Sequence, residues 1–252
     1  MKIAIPSYRR YEQLGNKTLT FLKRMKGFAH EDITIFVANE YEYLRYVKLY
    51  PDYHIVIGEK GISNIRNFIM NYYDKDEYIV SLDDDIDSLV SVLRSRCEEV
   101  DYSDLFIRGK SELDRTGLTM WGVNPVANSF FMEKQKYVST NLKFCIGQLF
   151  GFINKRLHVS LESASKEDYQ FTILNYMNYG GVLRFNQVAV KSKMFASGGI
   201  GTKKERGEQN EIAANFISQE YPNYCCIVRG GDRYAELRLF HHHKFTEVPE
   251  NF

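Results

Sequence analysis

The sequence predicts an α/β fold, with a mostly parallel central sheet and flanking helices. Two observations carry this expectation. Short apolar runs alternate with segments of helical spacing from the N-terminus to residue 86. The fourth of these runs, "YIVSL" at 78–82, reads as a strand buried in a sheet, yet it ends in three adjacent carboxylates, Asp83, Asp84 and Asp85. Hydrophobic residues make up 44% and charged residues 26% of the 252, which is ordinary for a globular chain with a sizeable core.

The elements follow in order. "KIAIPS" at 2–7 is a strand that ends in Pro6 and Ser7. "KTLTFLKRM" at 17–25 is helical, with Leu19, Leu22 and Met25 on one side. "ITIFVAN" at 33–39 is the second strand, and "EYEYLRYVKLY" at 40–50 is a helix stopped by Pro51. "YHIVIG" at 53–58 is the third strand. "GISNIRNFIMNYY" at 61–73 is a helix with Ile62, Ile65, Phe68 and Ile69 inward and Ser63 or Asn64 as its cap. "EYIVSLD" at 77–83 closes the series. Strand and helix repeated three times, then a strand, imply parallel pairing, with ligands beyond the carboxyl ends of the strands.

After residue 86 the rhythm changes. "DSLVSVL" at 87–93 reads as a short helix, and 96–116 as a charged surface helix or loop. "MWGVNPVAN" at 120–128 and "FFMEK" at 130–134 read as irregular structure leading to a strand. "KFCIGQLFGFIN" at 143–154 is β-like, 167–180 is a helix closed by glycine, 182–192 a strand and 205–222 a helix stopped by Pro222. "CCIVRG" and "YAELRLF" add one or two strands. No repeat or linker divides the chain, so residues 1–252 read as one domain with halves at 1–86 and 87–252.

The net charge of +1 excludes a molecule that binds polyanions through its overall charge. Local basic runs stand at 23–26 and 191–206, the second around a glycine turn. Four cysteines without a C-x-x-C pair read as reduced thiols, which implies a cytoplasmic location. No apolar stretch approaches ~18 residues, so no membrane partner is expected.

The three aspartates are the main chemical signal. Like charges this close repel, and a divalent cation with a preference for hard oxygen ligands, Mg²⁺ or Mn²⁺, resolves the conflict. An acidic turn capping the next segment is the competing explanation. Glu167 and Asp168 open a helix, where acids favour the dipole. In "SGGIGTKKER", Gly199 and Gly201 permit close backbone approach to a phosphate, with Arg206 nearby, or form a surface loop.

The ordered set "IAIPSYRR", "GISNIRNFIM", "LDDD", "WGVNPVANSFFM", "KEDYQFTILNYMNYGGVLRFN" and "GGIGTKKER" resembles the TET/JBP-associated glycosyltransferases of phages and kinetoplastids, over residues 1 to about 220. That family has a GT-A-like nucleotide-diphospho-sugar transferase fold with a metal-binding D-x-D. The resemblance implies transfer of a sugar from a UDP-sugar to 5-hydroxymethylcytosine or 5-hydroxymethyluracil in DNA. It makes 1–86 the nucleotide-sugar half and 87–252 the acceptor half. It implies that Pro6, Ser7, Tyr8 and Arg9 cradle the nucleotide, and that Glu40 contacts the base or serves only its helix. It places Arg66 on the diphosphate, Asp83 and Asp84 beside the donor, and Asp85 with Asp83 on Mn²⁺ or Mg²⁺. One of the "HHH" at 241–243, with His242 as the candidate, would complete the metal shell or the three form a polar tail, and Asp168 rather than Glu167 would be the base. Gly199, Gly201 and Arg206 would meet an acceptor or donor phosphate. Two other functions stay open: a GT-A transferase acting on carbohydrate, lipid or protein, and an inactive nucleotide- or nucleic-acid-binding module.

Overall fold

A computed structural model describes residues 1–93, 95–192, 203–228 and 235–241, without the side chains of Lys203, Lys204 and Arg206. In the first half, β1 (Lys2–Pro6), β2 (Ile33–Val37), β3 (His54–Ile57) and β4 (Tyr78–Leu82) lie parallel in the order β3-β2-β1-β4. The β1–β2 connection holds α1 (Tyr11–Leu14), a π-helical turn over Gly15–Leu19 and α2 (Thr20–Leu22), so the helix expected at 17–25 instead starts at Tyr11, ends at Leu22 and is distorted in its middle. The other two connections are α3 (Glu40–Leu49) and α4 (Ile62–Tyr72).

Their ends follow local chemistry. Asn39 caps α3, its Oδ1 accepting from the Glu42 N–H at 3.0 Å. The cap of α4 is Gly61, whose φ of 105° suits glycine, and not Ser63 or Asn64. Asn64 instead donates to the Lys60 carbonyl at 2.9 Å.

The second half contributes β5 (Ser88–Leu93), β6 (Arg96–Glu99), α5 (Leu105–Thr116), β7 (Met120–Asn124), α6 (Ser129–Met132), β8 (Val138–Ser139), β9 (Leu149–Ile153), α7 (Glu167–Tyr179), β10 (Leu183–Lys191), α8 (Lys203–Glu220), β11 (Cys225–Val228) and β12 (Glu236–Leu239). The main sheet runs β3-β2-β1-β4-β9-β7-β10-β5-β6, with β8 paired to β10. β9, β5 and β8 run against the rest, so the sheet is mostly parallel. β11 and β12 form a separate antiparallel pair.

Two expectations are corrected here. "DSLVSVL" is strand β5, because its backbone pairs with β10 on one side and β6 on the other. A short apolar run has no periodicity that separates strand from helix, and the partners decide. "MWGVN" is the buried strand β7, between β9 and β10. Of "KFCIGQLFGFIN", only Leu149–Ile153 is strand; residues 143–148 form a strap that leads into it. Among the described residues no helix is long and apolar enough to cross a membrane.

The strand alternation builds two cores. Ile3, Ile5, Ile35 and Val80 face α5 and the α1–α2 run, whereas Ala4, Phe36 and Ile79 face α4 and α7. Trp121 sits at the centre with 0% exposure. Its Nε1 donates to Tyr78 Oη at 2.7 Å, and that hydroxyl donates to the Phe106 carbonyl at 2.8 Å. Gly109 and Gly151 make room for the indole: a Cβ on either would lie 2.3 Å or 2.2 Å from its Nε1. Gly151→Ala is expected to lower stability by about 1–3 kcal/mol through overpacking. Urea unfolding with an unchanged m-value and a midpoint equal to wild type would contradict this.

Candidate active site

β1 has β2 on one side and β4 on the other, so strand order reverses between β1 and β4. A crevice opens beyond the carboxyl ends of strands at such a point. Here it is a cavity of about 210 Å³, and Pro6, Ser7, Tyr8, Asp83 and Asp84 are among its walls. Arg9 and Glu40 are not. Arg9 is exposed, with φ 57° and its guanidinium 5.0 Å from the Tyr8 ring centre, and Glu40 is exposed in the first turn of α3.

The acidic turn is pinned from three directions. The chain turns at Asp84 and Asp85 as it leaves β4. Thr18, on the π-helical turn, donates to the Asp83 carbonyl at 2.7 Å and accepts from the Ile86 N–H at 3.0 Å. The Asp83 N–H donates to the Gln148 carbonyl at 2.9 Å. Asp84 is 4% exposed and accepts from Ser7 Oγ at 2.6 Å and Arg10 Nη1 at 2.9 Å. Because the single Ser7 proton goes to Asp84, Tyr46, 2.5 Å away, donates to Ser7. Burial raises the Tyr46 pKa and keeps that phenol protonated. Asp85 accepts from Arg10 Nη1 at 3.3 Å, while its Oδ1 is buried with no hydrogen-bond partner.

A second acidic pair joins the first through Arg66. Its Nη1 donates to Ser81 Oγ at 2.6 Å, and its Nη2 to Asp83 Oδ1 at 3.2 Å and to the Gly147 carbonyl at 2.7 Å. Its Nε lies 3.8 Å from Glu167 Oε1. The Gly147 N–H donates to Asp168 Oδ2 at 3.1 Å, and the Tyr169 N–H to Asp168 Oδ1 at 2.9 Å. The structure therefore brings together Ser7, Arg66, Asp83, Asp84, Asp85, Glu167 and Asp168. Arg66 stands between the acids and not on the cavity wall.

Burial dominates the proton chemistry. It pushes Asp83 up to about 7, against the pull of Arg66 and with the push of Asp85 and Asp84. Asp84 and Asp85 are also raised by burial, in spite of Arg10. Glu167 rises to about 8 through burial and then Asp168 beside it. Asp168 is raised by burial too, but the Gly147 and Tyr169 N–H groups favour its charged form.

Among the described residues no three His, Cys, Asp or Glu side chains form a ready metal cage. Mg²⁺ and Mn²⁺ at nucleotide sites do not need one, since one or two carboxylates with substrate phosphates suffice. The orphaned Asp85 Oδ1 and the Asp83 carboxylate, about a third exposed, supply that number. Gly199, Gly201, His242 and the Arg206 side chain lie outside the described residues. His241 Nδ1, 3.1 Å from the Leu142 carbonyl, carries a proton and donates to it.

Sequence reasoning gave no site role to Tyr46, Glu42 or Gly147. Glu42 is 1% exposed and accepts from the Arg9 N–H at 2.9 Å and the Tyr11 hydroxyl at 2.7 Å, which fixes the loop after β1. Its signal was a glutamate four residues before Tyr46, both on the inner stripe of α3.

A family model described as TET-Associated Glycosyltransferase matches residues 1–199. The chain belongs to this family. Solved structures agree in fold. TarS of S. aureus, residues 1–349, superposes at a TM-score of 0.55 with 13% identity, over 88% of this chain and 72% of that one. Its complex with UDP-GlcNAc gives 0.55 at 12%, over 88% and 73%. The mannosyltransferase PcManGT from Pyrobaculum calidifontis, in complex with GDP-Man and Mn²⁺, gives 0.51 at 12%, over 88% and 63%. No curated protein matches in sequence. The fold is thus the GT-A-like transferase fold, and the protein is a glycosyltransferase.

In this TET-associated glycosyltransferase the raised Glu167 has a consequence for stability. A carboxyl whose folded pKa is about 8 binds its proton more tightly folded than unfolded. Stability therefore falls as pH rises from the ordinary glutamate range, and the loss is complete only above about 8. Glu167→Gln cannot ionise. Its melting temperature relative to wild type should be higher at pH 9 than at pH 6, by on the order of 3 °C. A difference that does not change with pH between thermal scans would refute the assignment.

Proposed function

We propose that this enzyme moves a sugar from a UDP-sugar to the hydroxymethyl group of 5-hydroxymethylcytosine or 5-hydroxymethyluracil in DNA. The observation that carries the reading is the continuous group formed by the β1–β4 cavity, its aspartates and, through Arg66, the Glu167–Asp168 pair. The family supports the acceptor class, and the nucleotide-sugars bound by TarS and PcManGT support the donor class.

The cavity takes the nucleoside diphosphate, with Pro6, Ser7, Tyr8, Asp83 and Asp84 in its lining. Asp83 and Asp85 would hold Mn²⁺ or Mg²⁺, which neutralises the diphosphate as it leaves. Arg10 and Ser7 fix Asp84, so the turn presents its other carboxylates in one arrangement. Asp168 is more accessible than buried Glu167, and two backbone N–H groups stabilise its charge. Asp168 is therefore the base that takes the acceptor hydroxyl proton, and Glu167 keeps its own proton at neutral pH. His242, Gly199, Gly201 and Arg206 belong to the same proposal as further metal and phosphate contacts. Free thiols at all four cysteines fit work on DNA in a reducing cytoplasm.

A second reading, transfer to a carbohydrate, lipid or protein, is favoured by the net charge of only +1. One experiment separates the two. The protein is incubated with Mn²⁺, a panel of UDP-sugars and DNA with or without hydroxymethylated pyrimidines, then the DNA is digested for nucleoside mass spectrometry. A hexosyl or pentosyl increment on hydroxymethylated nucleosides alone is expected, and its absence across the panel would refute the proposal. Asp168→Asn should lower kcat about 10²–10⁴-fold as loss of a general base. Asp85→Ala should abolish transfer without unfolding the protein, and full activity in it would remove the metal assignment.

A further inference from the structure

The strap over 143–148 carries a second charged group, of opposite sign to the first. Lys143 Nζ donates to Gln135 Oε1 at 2.9 Å and lies 3.4 Å from Asn186 Oδ1. Arg184, on β10, converges on the same two oxygens: its Nη2 donates to Gln135 Oε1 at 2.9 Å and its Nε to Asn186 Oδ1 at 2.8 Å. Its Nη1 donates to the Phe144 carbonyl at 3.0 Å. Arg184 is 8% exposed and Lys143 half-buried. Among the described residues neither forms an ion pair with a carboxylate, and the charged residue acting on Lys143 is Arg184 itself. Burial, then Arg184, lowers the Lys143 pKa to about 8.

Two cations drawn onto shared neutral acceptors repel each other and leave donor hydrogens free on both. An anion seated between them relieves both costs. The neighbourhood says which kind. Gln135 is tied by its Nε2 to the Phe131 carbonyl at 2.7 Å, on the turn that follows α6. Phe130 and Phe131, within α6, are 62% and 57% exposed, and Lys134 Nζ lies 4.6 Å from the Phe130 ring centre. Glu133 is turned away to Ser95 Oγ at 2.9 Å. Exposed rings interleaved with cations suit a polynucleotide, whose bases stack while its phosphates pair.

We propose that Lys143 and Arg184 seat a backbone phosphate of the acceptor DNA strand, beside Phe130 and Phe131. The seat is close to the chemistry. Lys143 precedes Gly147 by four residues, at most ~14 Å of chain, and Gly147 donates to Asp168. Across the sheet Arg184 is in register with Gly122, Gly122 with Phe150, and Phe150 with Ser81, the Arg66 partner. The seat rests on the DNA-acceptor reading and adds the residue pair that would fix the strand.

The test measures transfer to an oligonucleotide with one hydroxymethylcytosine, for wild type, Lys143→Gln and Lys143→Arg, from low to moderate salt. Lys143→Gln should raise the oligonucleotide KM roughly 3- to 10-fold and lower the slope of log affinity against log salt by about 0.7–0.9, one phosphate contact. Donor KM and melting temperature should not change, and Lys143→Arg should restore the slope. If wild type modifies the oligonucleotide while Lys143→Gln keeps the wild-type slope, the seat is wrong and the acceptor reading stands. If the variant changes donor KM instead, the pair serves the donor and the seat is overturned. If wild type neither binds nor modifies any hydroxymethylated oligonucleotide, both fall together.

Discussion

Arg66 holds the two acidic groups of the site at a fixed separation. Five carboxylates, Asp83, Asp84, Asp85, Glu167 and Asp168, crowd the carboxyl end of β4, and two guanidiniums, Arg10 and Arg66, answer them. With every acid ionised, three negative charges would be left over. Among the described residues Arg66 alone touches both acid groups, and its donors also reach Ser81 and the Gly147 carbonyl. A buried cation of this kind is costly to remove, because its partners keep their desolvation cost and lose their counter-charge. Burial raises the pKa of all five acids, and the neighbouring carboxylates add to it at Asp83, Asp84 and Glu167. The site must retain protons or accept a cation, and a bound divalent ion would offset two of those charges.

The sheet makes this crowding possible. β1 and β4 are parallel neighbours, so Ser7 and Asp84 emerge side by side. β9 runs antiparallel to β4, and so the strap that feeds it arrives at the same edge and delivers Gly147. A Cβ on Gly147 would stand 3.3 Å from Arg66 Nη2 and 3.4 Å from both Glu167 Oε1 and the Asp168 Cβ. A side chain there would make these neighbours give by a few tenths of an ångström, so glycine best lets one peptide unit hold the arginine with its carbonyl and the aspartate with its N–H.

The first half of the chain was legible because parallel buried strands are continuous apolar runs bounded by turn residues. The same rule failed on "DSLVSVL" and "MWGVN". β5 and β7 become strands through partners far away in sequence, β10 for both, and no local pattern records that. In the site, the acids were legible because charge at the end of a core strand is anomalous. Their partners were not. Arg9 and Arg10 are adjacent and alike, yet Arg9 is exposed and Arg10 grips two aspartates, a difference set by the positive φ at Arg9 and the Glu42 carboxylate that receives its N–H. Gly147 acts through its backbone, which side-chain identity does not advertise.

If Lys143 anchors the acceptor strand, the strap links that anchor to Asp168 through fixed contacts. Lys143 lies at one end and Gly147 near the other, with Cys145 buried between them against Gly122. Cys145 has 0% exposure, and its N–H lies 3.3 Å from Thr172 Oγ1 on α7, one turn after Asp168. Thr172 in turn donates to the Asp168 carbonyl at 2.7 Å. The strap is therefore fastened at two points, Gly147 and Cys145, to α7, the helix of Asp168. An anion held at Lys143 would be held at a set distance from Asp168. Preorganisation of that kind would lower the entropy cost of bringing an acceptor hydroxyl to Asp168.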